Sequence, residues 1–131
     1  ARLAWSLATR PNAVIIALGA NDGLRGLAPE QTYANLNSMI RTTKDAGVPV
    51  LLAGMRAPPN LGSEYGSAFD AVFPRLANKH GVVFYPFLLE GVVARSEFNQ
   101  SDGIHPNARG VDIIIDKILP LVRNLIVQIK R

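Results

Sequence analysis

At 131 residues, 48% hydrophobic and 18% charged, the chain has the size and composition of one globular domain, spanning 1–131, that can bury a real core. Its net charge of +4 is scattered, with no basic run interleaved with aromatics, which argues against nucleic acid, and no apolar run is long enough to span a membrane. Zero cysteines exclude disulfides and thiol chemistry, and two well-separated histidines without cysteines argue against a structural zinc.

Along the chain, residues 2–9 place Leu3, Ala4, Leu7 and Ala8 at helical spacing before Pro11 and Asn12. No capping residue precedes them, so the chain is expected to begin inside a helix whose start lies upstream. Residues 13–18 form a β-branched apolar run, the pattern of a strand buried on both faces of a parallel sheet. A glycine-rich loop is expected at 19–29. A helix at 30–46 follows, with Tyr33, Leu36 and Ile40 on one face and Gly47 as its stop.

The second apolar strand is 48–55, and a proline-rich loop covers 56–62. A single helix is expected at 64–79, with Phe69, Val72, Phe73 and Leu76 facing the core, ended by Gly81. The third strand is 82–85. Residues 86–105 read as irregular, with a short helix at 88–94. The final helix is expected at 107–130, with Val111, Ile114, Ile115, Ile118, Leu121 and Val122 as its apolar stripe and a kink at Pro120.

Strands alternating with helices make this an α/β fold with right-handed crossovers. In such sheets ligands bind at the carboxyl ends of the strands. Loops 19–26 and 56–66 and the loop ending at His105 all fall on that rim. The first strand reads as central, yet nothing visible pairs with its outer edge, so further strands are expected on the N-terminal side.

Two short patterns carry chemistry. In Asp102-Gly103-Ile104-His105-Pro106, an Asp three residues before a His can orient the imidazole and stabilise its charged form, which makes a general base. The plainer reading is a helix entry. In Gly19-Ala20-Asn21-Asp22, the Asn amide can donate to a developing oxyanion. The plainer reading is a turn after a strand. Neither the phosphate-loop nor the dinucleotide-binding pattern is present. Lys79-His80-Gly81 reads as a helix C-terminus, where the helix dipole favours a cation.

Together these blocks resemble the SGNH, or GDSL-type, hydrolases, and within them the bacterial acyl-CoA thioesterase I / lysophospholipase L1 / arylesterase group. The resemblance is carried by Leu18-Gly19-Ala20-Asn21-Asp22-Gly23-Leu24-Arg25-Gly26, by Pro58-Pro59-Asn60-Leu61-Gly62 with Tyr65 and Phe69, by Tyr85-Pro86-Phe87-Leu88, and by Asp102-Gly103-Ile104-His105-Pro106-Asn107. It implies a flavodoxin-like three-layer α/β/α fold with a parallel sheet whose N-terminal strands are absent from this chain. It implies His105 as general base, Asp102 as its orienting carboxylate and Asn21 as oxyanion donor. Gly19, Asp22, Gly23, Leu24, Leu27 and Leu61 are implied to meet the substrate, a small acyl or aryl ester or thioester. Residues 23–29 match a mobile loop that shapes the acyl pocket.

No metal or organic cofactor is implied, and the group's location is periplasmic or secreted. The family's Gly-Asp-Ser block with the nucleophile, and the second block with its glycine oxyanion donor, have no counterpart here. Ser6, Ser63, Ser67 and Ser101 do not sit in a glycine-flanked turn that would substitute. The expectation is a serine ester hydrolase whose nucleophile lies on a segment outside this chain, leaving the chain inactive alone. Two competing readings are a non-catalytic α/β binding module that has lost its nucleophile, and a homo-oligomer joined through the bare edge at 13–18.

Overall fold

The computed structural model describes residues 2–129. The elements run α1 (Arg2–Ala8), β1 (Val14–Ile16), α2 (Ala20–Leu24), α3 (Pro29–Asp45), β2 (Val50–Ala53), α4 (Ser63–Asp70), α5 (Val72–His80), β3 (Val83–Tyr85) and α6 (Ala108–Val127). Short 3-10 turns occupy Pro59–Leu61 and Ser96–Phe98.

The three strands are parallel in the order β1-β2-β3. Val14 lies opposite Val50, and Leu51 opposite Val83. Successive side chains alternate across the sheet with a period of two. Ile16, Val50 and Leu52 join Leu36, Ile40, Phe69, Phe73 and Leu76 in the core under α3, α4 and α5. Leu51, Ala53 and Tyr85 point the other way, toward Leu125 and the half-buried Ile118, Leu121 and Val122 of α6. The result is three layers, with both crossovers on one face and α6 on the other. Burying a Leu or Phe fully contributes about 1.5–3 kcal/mol, so the all-buried β2 anchors both layers.

As expected, the outer edge of β1 has no strand partner among the described residues. Several other expectations are corrected. β1 is not buried on both faces, since Ile15 is 48% exposed. Ile15 pairs in register with Leu51 and so faces the α6 side, where α6 packs mainly on β2 and β3. The expected loop at 19–29 contains the helix α2. The expected helix at 64–79 breaks at Ala71 into α4 and α5. Pro74 is the cause: it cannot donate to the Asp70 carbonyl, and its ring crowds that oxygen. Residues 88–94 are turns, and the 3-10 turn comes later, at Ser96–Phe98. In α6 the core side is set by Ile118, Leu121, Val122 and Leu125, while Val111 and Ile115 lie exposed. The helix runs through Pro120 to Val127, and Lys130, assigned to it from sequence, lies outside the described residues.

Candidate active site

The two ends of the sheet are distinguishable from packing. The C-terminal end of α6, at Gln128, shares a hollow with Val48, Pro49 and Val82, the residues that lead into β2 and β3. The N-terminal end of α6 therefore stands at the carboxyl rim, and the loop before it carries Asp102 and His105. Asn21 follows directly from the carboxyl end of β1. All three thus stand toward the carboxyl rim of the sheet, Asn21 directly after β1 and Asp102 and His105 in the loop ahead of α6.

The Asp102–His105 unit is a tight turn. Asp102 Oδ1 accepts from the Ile104 and His105 amides at 2.9 and 3.0 Å. Its other oxygen, Oδ2, meets His105 Nδ1 at 2.6 Å. Gly103 supplies the left-handed backbone this needs, at φ 72°. The His105 imidazole beside Asp102, with the two amides, holds the carboxyl at about 2, below its usual 3.8. The carboxylate is therefore ionised at any working pH and fixes the proton on Nδ1. In the neutral imidazole this leaves the lone pair on Nε2, the form a general base requires. The His105 side chain is 70% exposed, and among the described residues no serine hydroxyl is bonded to it.

The loop under this pair is rigidly tied. The Gln100 amide donates to the His105 carbonyl at 2.7 Å. Asn107 caps α6, its Oδ1 accepting from the Gly110 amide at 3.0 Å, while its Nδ2 donates to the Glu97 and Asn99 carbonyls. Buried Asn99 donates to the carbonyls of Val92 and Arg95. Sequence reasoning missed these two braces. For Asn107 a signal existed, because Asn directly before an apolar periodic stretch is a capping residue. Asn99 has no such signal.

Asn21 sits in the first turn of α2. Its N-cap, Gly19, has φ 107°, a conformation that suits glycine. Asn21 is exposed, with no side-chain hydrogen bond among the described residues, and it borders a hollow of about 320 Å³. The Asp22 carboxylate is engaged elsewhere, accepting from the buried Thr32 hydroxyl at 2.9 Å. Gly23 is buried against Phe69. Leu24 and Leu27 are exposed at 49% and 36%, and Leu61 approaches Gly26. The structure thus brings Asp102 and His105 into contact and leaves Asn21 on a separate element of the same rim.

Of the serines, Ser6 lines a groove of about 930 Å³ that runs along the free edge of β1 between α1 and α3. Ser63 and Ser67 lie on α4, and Ser101 is exposed beside Asp102. Among the described residues no cluster of three His, Asp or Glu side chains is placed to hold a metal ion.

The family model of the GDSL-like lipase/acylhydrolase family matches residues 1–113. An arylesterase of Vibrio mimicus is 44% identical over 96 residues, which is 73% of this chain and 48% of that protein. The thioesterase 1/protease 1/lysophospholipase L1 of Escherichia coli K12 is 39% identical over 119 residues, 88% of this chain and 57% of that protein. The crystal structure of TesA superposes with a TM-score of 0.89 at 40% identity, covering 95% of this chain and 69% of its own. The chain spans about half the length of the curated relatives it matches.

Proposed function

The chain belongs to the GDSL-like lipase/acylhydrolase family, and from that premise we propose that it supplies the acid–base half of a serine ester hydrolase. The reaction is acyl transfer from a carboxyl ester or thioester to water through an acyl-serine. A single observation carries this reading: the hydrogen-bonded Asp102–His105 pair shares a rim with an unengaged Asn21. In the first step His105 Nε2 takes the serine proton while the serine oxygen attacks the acyl carbonyl. The Asn21 amide donates to the resulting oxyanion, and the imidazolium, held by Asp102, passes its proton to the leaving group. In the second step the same nitrogen activates water, and the serine leaves with its proton restored.

The serine belongs to a segment outside these 131 residues, seated as a further parallel strand on the free edge of β1. The groove along that edge supports this placement, since it follows β1 to Leu18, where a neighbouring hollow borders Asn21. Leu24, Leu27 and Leu61 form the apolar surface that suits an acyl or aryl group. The names of the relatives support an ester or thioester substrate. An exported location, periplasmic or secreted, is part of the same proposal. Among the described residues no helix is long and apolar enough to cross a membrane.

A serine-reactive fluorophosphonate tests the reading. A longer protein that includes a Gly-Asp-Ser segment should be labelled, and the label should be lost when His105 is changed to Ala. No labelling of such a protein, verified by mass, would leave the binding-module reading standing instead.

A further inference from the structure

Beneath α2 lies a ladder of three aromatic rings. Tyr65, Phe69 and Phe73 are four residues apart, and the shallow break at Ala71, with φ −69° and ψ −18°, keeps them in one row. Tyr65 and Phe69 stack at 6.0 Å, and Phe73 meets Phe69 edge-on at 5.6 Å. The segment above repeats the same spacing. A Cβ at Gly19 would lie 3.1 Å from Phe73 Cζ, and one at Gly23 would lie 2.9 Å from Phe69 Cζ. At the next step of four, the Tyr65 hydroxyl donates to the Leu27 carbonyl at 2.7 Å. Three rungs thus meet three positions, 19, 23 and 27.

The geometry of α2 gives this contact a consequence. At about 100° per residue, Gly19 and Gly23 lie on one side of the turn and Asn21 on the other. Rings pressed against the two glycines set the height and tilt of the helix and so aim Asn21 outward. Any side chain at Gly23 would lift α2 off the ring. We propose that the Tyr65–Phe69–Phe73 ladder is a positioning device for Asn21, with Tyr65 as its one polar rung. An oxyanion donor works only when held in place before charge develops, and misplacement by about 1 Å costs about 10²-fold in rate. This inference rests on the reading of Asn21 as oxyanion donor, but its test separates the two.

The first measurement is amide hydrogen exchange on the chain itself. Tyr65→Phe keeps the ring and removes only the hydroxyl. It should speed exchange at Arg25, Gly26 and Leu27 about fivefold, the loss of one ordinary hydrogen bond, and leave β2 unchanged. The second is kinetics in the longer hydrolase. Gly23→Ala should lower kcat about 10–100-fold with little change in KM, as expected for a contact made only in the transition state. Adding Phe69→Leu makes room for the new methyl and should restore kcat at least about fivefold, a coupling that a generally weakened core would not produce. Unchanged exchange in Tyr65→Phe, or strictly additive losses in the double variant, would overturn the ladder. Full kcat in Asn21→Ala would overturn the oxyanion reading, while the exchange data would still judge the ladder.

Discussion

At the residue scale the site depends on one short turn. Asp102 serves three hydrogen atoms, two backbone amides and the His105 ring. Its folded value of about 2 lies below the usual 3.8 of an Asp carboxyl. The depressed value means that the carboxylate stabilises the fold above about pH 4, and this contribution is lost as pH falls through about 2. A carbon-13 titration of the Asp102 carboxyl should show its midpoint near that value, and His105→Ala should raise it, because the His105 ring is the largest cause of the shift. Asp102→Asn preserves the shape but presents an amide to Nδ1, which frees the wrong tautomer. On the proposed mechanism, in a longer protein that includes the Gly-Asp-Ser segment, kcat should fall by about 10³–10⁴ with KM nearly unchanged. Asn21→Ala removes the proposed oxyanion donor and, on that reading, should lower kcat by about 10²–10³. These two losses should not add when measured against the same transition state, because both groups serve it together.

At the scale of elements, the start of α6 holds the Asp102–His105 turn in place. Asn107→Ala removes a cap and two donors to the preceding loop. It should cost about 1–2 kcal/mol in urea unfolding, and Asn107→Asp should recover the cap alone. Gly110→Ala should be worse, about 3 kcal/mol, because its Cβ would fall 2.2 Å from the Phe98 carbonyl oxygen. How legible the elements were from sequence follows from what each depends on. The apolar runs of β1, β2 and β3 announce strands, and Gly47 and Gly81 end their helices with φ 75° and 62°. α2 was hidden, because Gly19 and Gly23 weaken a helix locally and are needed only by the rings beneath it. The break at Ala71 was hidden because the apolar period continues through Pro74. The pair Asp102 and His105 was legible because its partners are three residues apart. Asn99 was not, since it bonds to carbonyls whose position the fold alone decides.

At the scale of the whole molecule, the sheet is open on one side. Among the described residues β1 pairs only with β2, so the peptide groups along its other edge have no strand partner there, and Ile15 and Leu18 are 48% and 52% exposed beside them. α6 leaves Val111, Ile115 and Leu119 exposed in a row four residues apart. Monomeric proteins rarely expose unpaired apolar edges of this kind, because they template pairing with another chain. The chain alone should therefore associate as its concentration rises, with an average mass above 14.1 kDa in sedimentation. Ile15→Lys places a charge on the free edge, the device by which natural edge strands resist pairing, and should shift the distribution to monomer without loss of helix signal. A segment bearing the serine, seated on the same edge, should dissolve the self-association at equimolar ratio and restore fluorophosphonate labelling together. Self-association that Ile15→Lys leaves intact would place the contact on α6 instead, and a monomer at every concentration would mean that the edge of β1 attracts no strand at all.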